Sequence, residues 1–261
     1  MRFLLLVLPL VVCPFLPPAA AEPFDADARA AIREMVRELL REEPELVLRA
    51  LETLRARQQQ AEAARQRQAL ARYRDLLERD PHAPVVGNPQ GDVTLVEFFD
   101  YRCPYCRTIA PVVMALAASD PGLRLVFREW PILSPESEFA ARAALAAARQ
   151  GRYAEFHMAL MRLEPLTPDS VRASARSLGL DLARLEADMQ APEIQRHLDD
   201  SNRLARELGI SGTPAFVIGD RLVPGMADRA TLEELVASVR AGRRTTAGAG
   251  GSPTAEQATG R

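Results

Sequence analysis

The sequence contains no lysine, so all 33 of its basic residues are arginine. Together with the abundance of alanine, this bias indicates the base composition of a genome rather than a function. The hydrophobic fraction of 48% and the charged fraction of 26% are ordinary for a globular protein. The formal net charge of −2 gives no reason to expect a nucleic-acid partner.

Long apolar runs are also scarce, and one lies at the N-terminus, where residues 1–21 have the pattern of a secretory signal peptide. Arg2 supplies a positive start, Phe3 to Leu16 is apolar, and Ala19-Ala20-Ala21 forms a cleavage site before Glu22. The apolar stretch is too short and too often interrupted by proline for a membrane span, although an uncleaved anchor is the alternative. We therefore predict an exported, periplasmic protein.

The chain has only three cysteines and three histidines. Removal of the signal peptide takes away Cys13 and leaves Cys103 and Cys106 in an oxidising compartment, with no other cysteine to mispair with them. A zinc site needs four ligands, usually from two spaced pairs, and the sequence has no second pair. The sequence therefore predicts no metal site.

The two cysteines form a Cys-x-x-Cys motif between two regular patterns. An apolar, strand-like run from Val93 to Phe99 precedes the motif, and apolar residues at helical spacing follow it from Ile109 to Leu116. Strand, Cys-x-x-Cys and helix in this order are typical of a thioredoxin-like redox site. Cys103 is expected at the helix N-terminus, where free N–H groups and the helix dipole stabilise a thiolate and lower its pKa.

Two stretches resemble the active-site motifs of the DsbA-like thiol-disulfide oxidoreductases, a branch of the thioredoxin superfamily. The first is Val96-Glu97-Phe98-Phe99-Asp100-Tyr101-Arg102-Cys103-Pro104-Tyr105-Cys106. The second is Ser211-Gly212-Thr213-Pro214-Ala215-Phe216, which resembles the loop that carries the family's cis-proline. The resemblance spans roughly residues 85–241 and implies a thioredoxin fold with a helical insertion at about residues 134–208.

Thiol chemistry assigns different roles to the two cysteines. Cys103 is predicted to be the nucleophile that forms a mixed disulfide with a substrate, and Cys106 the thiol that resolves it. Pro104 and Tyr105 lie beside Cys103 and are predicted to tune the redox poise. A histidine in place of Tyr105, as in DsbA, adds positive charge beside the first cysteine, and because tyrosine adds none we expect a less oxidising site.

Three further residues are predicted to belong to the site. Glu97 is a lone carboxylate in an apolar strand, so we expect burial to raise its pKa and suit it to accept the proton of Cys106. A solvated carboxylate at a sheet edge is the alternative, but the position matches the family's buried acid. The resemblance implies a cis bond between Thr213 and Pro214 that presents the Thr213 backbone to an extended substrate, whereas a trans-proline turn is the alternative. Threonine before this proline resembles the disulfide isomerases.

Residues 22–82 are predicted to form a helical arm. Apolar residues recur at helical spacing from Ile32 to Leu54, whereas Arg55 to Gln68 is helix-favouring but polar. We predict an oligomerisation stalk that forms a trimer or dimer, with a helix folded back on its own domain as the alternative. The segment resembles the N-terminal extension of the suppressor-of-copper-sensitivity C-type proteins, some of which trimerise through it.

The predicted chain is α/β, with a signal peptide (1–21), a helical arm (22–82), a DsbA-like thioredoxin domain (83–241) and a disordered tail (242–261). Its predicted activity is disulfide exchange with substrate proteins, more isomerase- or reductase-like than that of a dedicated oxidase. A membrane redox partner is expected, and no cofactor beyond the Cys103–Cys106 disulfide. A copper-binding or copper-tolerance protein that uses the same cysteines, and a disulfide-independent periplasmic chaperone, are the alternatives.

Overall fold

The computed structural model describes residues 25–249, with side chains described as far as Arg243. The predicted signal peptide with Cys13 lies outside the described residues, as do residues 250–261. The chain divides into two compact units, one that ends at Gln60 and one that begins at Ala61. This division falls well before the boundary predicted at residue 82.

The first unit contains helix α1 (Ala26–Glu42) and the start of helix α2 (Glu45–Arg79). Asp25 caps α1 by accepting a hydrogen bond of 2.7 Å from the backbone N–H of Ala28. No residue of α1 is buried. Nine large apolar side chains of this unit, which we call the arm patch, are 38–61% exposed. The arm patch consists of Ile32, Met35, Val36, Leu39, Leu40, Val47, Leu48, Leu51 and Leu54.

The second unit is built on a five-stranded sheet. Its strands are Val85–Gly87 (β1), Val93–Phe99 (β2), Leu123–Glu129 (β3), Ala215–Ile218 (β4) and Arg221–Pro224 (β5). The spatial order is β1-β3-β2-β4-β5, in which only β2 and β3 are parallel to each other. The parallel pair of β2 and β3 is connected through the helix that follows Cys103, and β4 and β5 form a hairpin.

The second unit also contains seven complete helices among the described residues. Helix α3 (Pro104–Ser119) connects β2 to β3, and α9 (Arg229–Ala249) follows β5. Five helices lie between β3 and β4: Pro135–Ala148 (α4), Tyr153–Leu160 (α5), Pro168–Ser177 (α6), Leu182–Asp188 (α7) and Pro192–Glu207 (α8). The α/β class with a helical insertion is therefore confirmed.

Side chains of the central strands alternate between two apolar clusters, as a period of two requires. Val93, Leu95 and Phe99 of β2 pack with α3, α9 and the inserted helices. Val96 and Phe98 pack on the opposite face of the sheet. Both faces are covered, so β2 is buried along its whole length.

The end of α2 belongs to the second unit and not to the arm. Leu70 and Leu77 are buried in the same cluster as Val96 and Phe98 of β2. These leucines continue the helical stripe of the arm in the sequence, but the sheet supplies the apolar surface that covers them. The prediction that the arm extends to residue 82 is wrong in this respect.

A buried ion pair lies directly after α2. Arg128 of β3 is fully buried and donates a hydrogen bond of 2.7 Å to Asp80. Because the two residues are 48 positions apart in the chain, the pair joins the segment after α2 to strand β3 of the sheet. Removal of either partner would leave a buried charge without compensation.

The last helix extends beyond the predicted end of the domain. Helix α9 runs to Ala249, so the prediction of disorder from Gly242 onward is wrong as far as that residue. Arg240 binds Asp92 at 2.7 Å and Asp120 at 3.0 Å. These ion pairs connect the helix to the loops before β2 and before β3.

Candidate active site

Cys103 is the N-cap residue of α3, and its sulfur accepts a hydrogen bond from the backbone N–H of Cys106 at 3.4 Å. Pro104 occupies the first turn, where a missing N–H leaves no helical bond unmade. Both cysteines are free thiols in the structure, and Cys103 is only 4% exposed. The chain therefore places the first sulfur at the positive end of the helix dipole, as predicted.

The two thiols have opposite pKa shifts. The hydrogen bond from the Cys106 thiol lowers the pKa of Cys103. Burial opposes this effect, but hydrogen bonding with Thr213 and hydrogen bonds from the backbone N–H groups of Cys106 and Tyr105 bring the pKa to about 6. Burial raises the pKa of Cys106, and its hydrogen bond to Cys103 raises it further. At neutral pH the site therefore holds a thiolate at Cys103 and a thiol at Cys106.

We expect alkylation of Cys103 in the reduced protein to rise with pH through a midpoint near 6, against about 9 for an ordinary cysteine. Because the Cys106 thiol makes the largest contribution, Cys106→Ala should move this midpoint upward, whereas Cys106→Ser retains a donor and should move it less. Iodoacetamide labelling at a series of pH values, read by mass spectrometry, measures both effects. A wild-type Cys103 that titrates like a free cysteine would contradict the assignment.

Glu97 faces the same side of the sheet as α3. It is fully buried, and neither carboxylate oxygen has a hydrogen-bond partner among the described residues. Burial, followed by the negative charges of Cys103 and Glu129, raises the pKa of Glu97 to about 8. The charge of Glu97 in turn contributes to the raised pKa of Cys106. This geometry contradicts the alternative of a solvated edge carboxylate.

The loop from Ser211 to Pro214 lies against the active-site cysteine. The Thr213–Pro214 peptide bond is cis, and Cys103 Sγ lies 3.2 Å from the carbonyl oxygen of Thr213. A cavity of about 400 Å³ opens beside it. Tyr105, 61% exposed, and Met226 are among its lining residues. The two predicted motifs therefore meet in space and leave room for an extended chain next to Cys103.

Asp100 is a site residue that the sequence did not single out. Its carboxylate accepts hydrogen bonds from the Ser137 hydroxyl at 2.7 Å and from the backbone N–H groups of Ile132 and Leu133 at 2.9 and 3.0 Å. Its carbonyl accepts the N–H of Cys103 at 3.1 Å. These bonds fix the backbone that enters the Cys-x-x-Cys turn. The available signal was an acid placed directly between a buried strand and the motif.

Two histidines lie in the core near the site, while His82 is exposed. His157 accepts or donates a hydrogen bond with the Tyr101 hydroxyl at 3.1 Å, and burial lowers the pKa of His157 to about 3, so its ring is neutral. His197 lies 2.7 Å from a carboxylate oxygen of Glu129. The hydrogen-bond partners of these two histidines, Tyr101 and Glu129, are other core residues, which suits a structural role. Among the described residues, no group of three or more metal-ligating side chains is gathered in one place.

Residues 94–237 match the family described as DSBA-like thioredoxin domain. The chain belongs to this family. Residues 29–61 match a second family, described as Copper resistance protein ScsC N-terminal domain. The DsbA-like match covers β3, β4, β5, nearly all of β2, the inserted helices and both motifs of the site, so the resemblance inferred from the motifs is confirmed.

Solved structures extend this assignment. A thioredoxin-like oxidoreductase from Silicibacter pomeroyi DSS-3 is 52% identical, with a TM-score of 0.63, and the alignment covers 64% of this chain and 98% of that one. A linker-deletion mutant of Proteus mirabilis ScsC is 27% identical with a TM-score of 0.64, over 85% of this chain and 100% of that one. Salmonella enterica Typhimurium BcfH is 30% identical with a TM-score of 0.67, and the alignment covers 82% of this chain and 96% of that one. These neighbours confirm the thioredoxin fold of the DsbA-like chain.

Curated relatives include proteins much longer than the DsbA-like domain. A Na(+)/H(+) antiporter NhaA 3 from Salinispora tropica is 33% identical over 178 residues. The alignment covers 63% of this chain but spans about a quarter of the antiporter's length. Within residues 25–249, none of the helices combines the length and the apolar character that a bilayer crossing requires.

Proposed function

We propose that this DsbA-like chain is an exported thiol-disulfide oxidoreductase that exchanges disulfides with substrate proteins through Cys103 and Cys106. The observation that carries the proposal is the paired environment of the two sulfurs. Cys103 caps a helix with a pKa lowered to about 6, while Cys106 is buried with a raised pKa. A two-step exchange requires a nucleophilic thiolate for the first attack and, beside it, a second thiol that stays protonated until the mixed disulfide has formed.

The exchange conserves sulfur, protons and electrons at each step. The Cys103 thiolate attacks one sulfur of a substrate disulfide, forms a mixed disulfide and releases the other sulfur as a thiolate that takes up a proton. The Cys106 thiol then loses its proton to the Glu97 carboxylate and attacks the Cys103 sulfur. A Cys103–Cys106 disulfide forms, the second substrate thiolate leaves, and the substrate has gained the two electrons that the cysteine pair has lost.

An isomerase- or reductase-like direction is the finer part of the proposal. In isomerisation a second substrate thiolate attacks the mixed disulfide, so the substrate disulfide is rearranged and the Cys103 thiolate is restored. Tyr105 places no cation beside Cys103, which favours a less oxidising pair than a histidine would. Thr213 before the proline resembles the isomerases. A membrane protein that restores the dithiol form completes the cycle in this proposal.

The arm patch supports assembly of several copies of the chain. Nine large apolar side chains are exposed on two helices, and clusters of this kind mark interaction surfaces. The match of residues 29–61 to the ScsC N-terminal domain covers all nine residues of the arm patch. We therefore propose a homo-oligomer, a trimer or dimer, formed through this segment. An exported location is supported by the solved periplasmic thioredoxin-like protein from Salmonella enterica, which is 30% identical.

Serine variants test the proposed exchange. Cys103→Ser should abolish reduction of a peptide disulfide, because no thiolate remains to attack. Cys106→Ser should instead accumulate a mixed disulfide with the peptide, because the first attack survives and resolution does not. Mass spectrometry of the quenched reaction distinguishes the two species. Exchange that persists in both variants would exclude the proposed site.

Copper tolerance is a second candidate, favoured by the match of residues 29–61 to the Copper resistance protein ScsC N-terminal domain. The two cysteine sulfurs are soft ligands that suit Cu(I). Anaerobic Cu(I) titration of the reduced protein, compared with Cys103→Ser, measures whether these sulfurs bind copper. Stoichiometric, Cys103-dependent binding tighter than that of a competing chelator would support this candidate.

A further inference from the structure

Two carboxyl groups are buried on the same face of adjacent parallel strands. Glu97 on β2 pairs in register with Phe127, and Phe99 pairs with Glu129 on β3. The two glutamates are therefore offset by two positions, which places both side chains on the face that carries α3. Both are 0% exposed. Two negative charges this deep in the same core would repel each other strongly.

The hydrogen-bond partners of the two carboxyls differ. Glu129 receives a hydrogen bond from the Tyr153 hydroxyl on one oxygen and lies 2.7 Å from His197 Nε2 on the other. Glu97 has no partner on either oxygen among the described residues. Because hydrogen bonds to a carboxylate favour its charged form, Glu129 is the member of the pair that carries the charge.

His197 is itself held in a charged environment. Its Nδ1 lies 3.7 Å from Asp80, too long for a hydrogen bond but close enough for an ionic contact. Burial works to lower the pKa of His197, but its interactions with Asp80 and Glu129 outweigh burial and raise it. Arg128 binds Asp80 from the sheet. Arg128, Asp80, His197 and Glu129 therefore form a buried series of alternating charges. The series ends at Glu129, on the strand next to Glu97.

Burial and the negative charge of Cys103 raise the pKa of Glu97 more than Glu129 does, and the charge of Glu129 adds to both effects. Helix α3 contributes Cys103 and Cys106, the turn after β2 contributes the Tyr101 hydroxyl, and β4 contributes only the apolar ring of Phe216 opposite Glu97. Around Glu129, α5 contributes Tyr153 and α8 contributes His197. Glu129 is thus the carboxylate that faces Glu97 from the neighbouring strand.

We propose that Glu129, held between Tyr153 and His197, is a positioning residue that keeps a proton on Glu97 in the resting protein. The inference rests on the proposed function, because it concerns the step in which Cys106 resolves the mixed disulfide. In that step one proton passes from the Cys106 sulfur to a Glu97 carboxylate oxygen, and no other reactant is needed. The charge of Glu129 adds to burial and to the charge of Cys103, and so raises the pH at which Glu97 becomes free to accept that proton.

A titration of Glu97 itself tests the proposal without any need for enzymatic activity. In protein labelled with ¹³C-glutamate, Glu97→Gln identifies the Glu97 carboxyl signal by its loss. The wild-type signal should titrate near pH 8. In Glu129→Gln the nearby negative charge is gone, so the midpoint should fall by about one pH unit. The pH profile of mixed-disulfide resolution, measured by stopped flow, should move in the same direction.

Tyr153→Phe is the matched control, because it disturbs the same core but leaves the carboxylate and its contact with His197. Its Glu97 midpoint should stay much closer to the wild-type value. Equal shifts in both variants would assign the effect to packing, and an unmoved midpoint in Glu129→Gln would overturn the proposal. If that variant does not fold, Glu129→Gln combined with His197→Asn removes the buried pair as a whole and should still lower the midpoint. A titration that behaves as expected in a protein without exchange activity would contradict only the proposed function.

Discussion

Glu97→Gln is expected to slow resolution of the mixed disulfide about 100-fold, while the first attack by Cys103 stays within about threefold of wild type. Burial raises the pKa of the Cys106 thiol, so this thiol is not ionised at neutral pH without a base. Glu97 is a buried carboxyl whose charge contributes to the raised pKa of Cys106 and whose own pKa is raised in part by the charge of Cys103. Glutamine preserves its shape but cannot accept a proton.

The pH dependence gives the same prediction a sharper form. Only ionised Glu97 can accept the proton of Cys106, so the wild-type resolution rate should rise with pH through about 8. In Glu97→Gln the resolution rate should no longer rise with pH in this range. The first attack depends on the Cys103 thiolate and should keep its dependence near pH 6 in both proteins.

Stopped-flow reaction with a fluorescent peptide disulfide separates formation of the mixed disulfide from its resolution. Glu136→Gln is a suitable control, since this acid lies near the site but pairs with Arg102 at the surface. Its rates should match wild type, because an exposed pair contributes little. Unchanged resolution in Glu97→Gln would assign Glu97 a structural role.

Local patterns predicted the scaffold of the site because they depend on neighbouring residues. An apolar run before Cys103 and helical spacing after Cys106 were enough to place β2 and α3. The motif around Pro214 and the resemblance it carries placed the loop that contacts Cys103. Each of these signals lies within about ten residues of the feature that it predicts.

The buried polar groups around this scaffold could not be predicted in the same way. Asp80 and Arg128 are 48 residues apart, and Glu129 and His197 are 68 residues apart. A charged residue in a strand-like run indicates only that a partner is required, and the partner is supplied by the tertiary fold. Leu77 illustrates the same point for apolar contacts, since it continues the arm's helical stripe but packs on the sheet.

Removal of residues before Ala61 is expected to convert the protein into a monomer that keeps peptide-disulfide exchange but loses most isomerase activity. The cut must be placed there because Leu70 and Leu77 are buried against the sheet and Asp80 pairs with Arg128. A truncation near Pro84 would remove all three residues and destabilise the domain. Ala61 begins the second compact unit, so its core is preserved.

Light scattering and refolding of a scrambled disulfide protein measure the two effects of this truncation. The truncated chain should have the mass of one copy, and its peptide-exchange rate per Cys103 should equal that of the full-length protein. Its rate of refolding should fall at least about tenfold, because linked sites rebind one substrate at a high effective concentration. A full-length protein that is already monomeric would contradict the proposed assembly.

Two substitutions within the intact arm test whether isomerisation requires assembly of several copies or only the presence of the arm helices. Leu51→Asp puts a charge into the arm patch, whereas Gln58→Asp puts the same charge on a polar position of the same helix. Leu51→Asp should give monomers and reproduce the loss of refolding activity, because a buried charge in an apolar interface is costly. Gln58→Asp should remain assembled and active. If Leu51→Asp gave monomers that isomerise as well as wild type, isomerisation would not depend on bringing several Cys103 sites to one substrate.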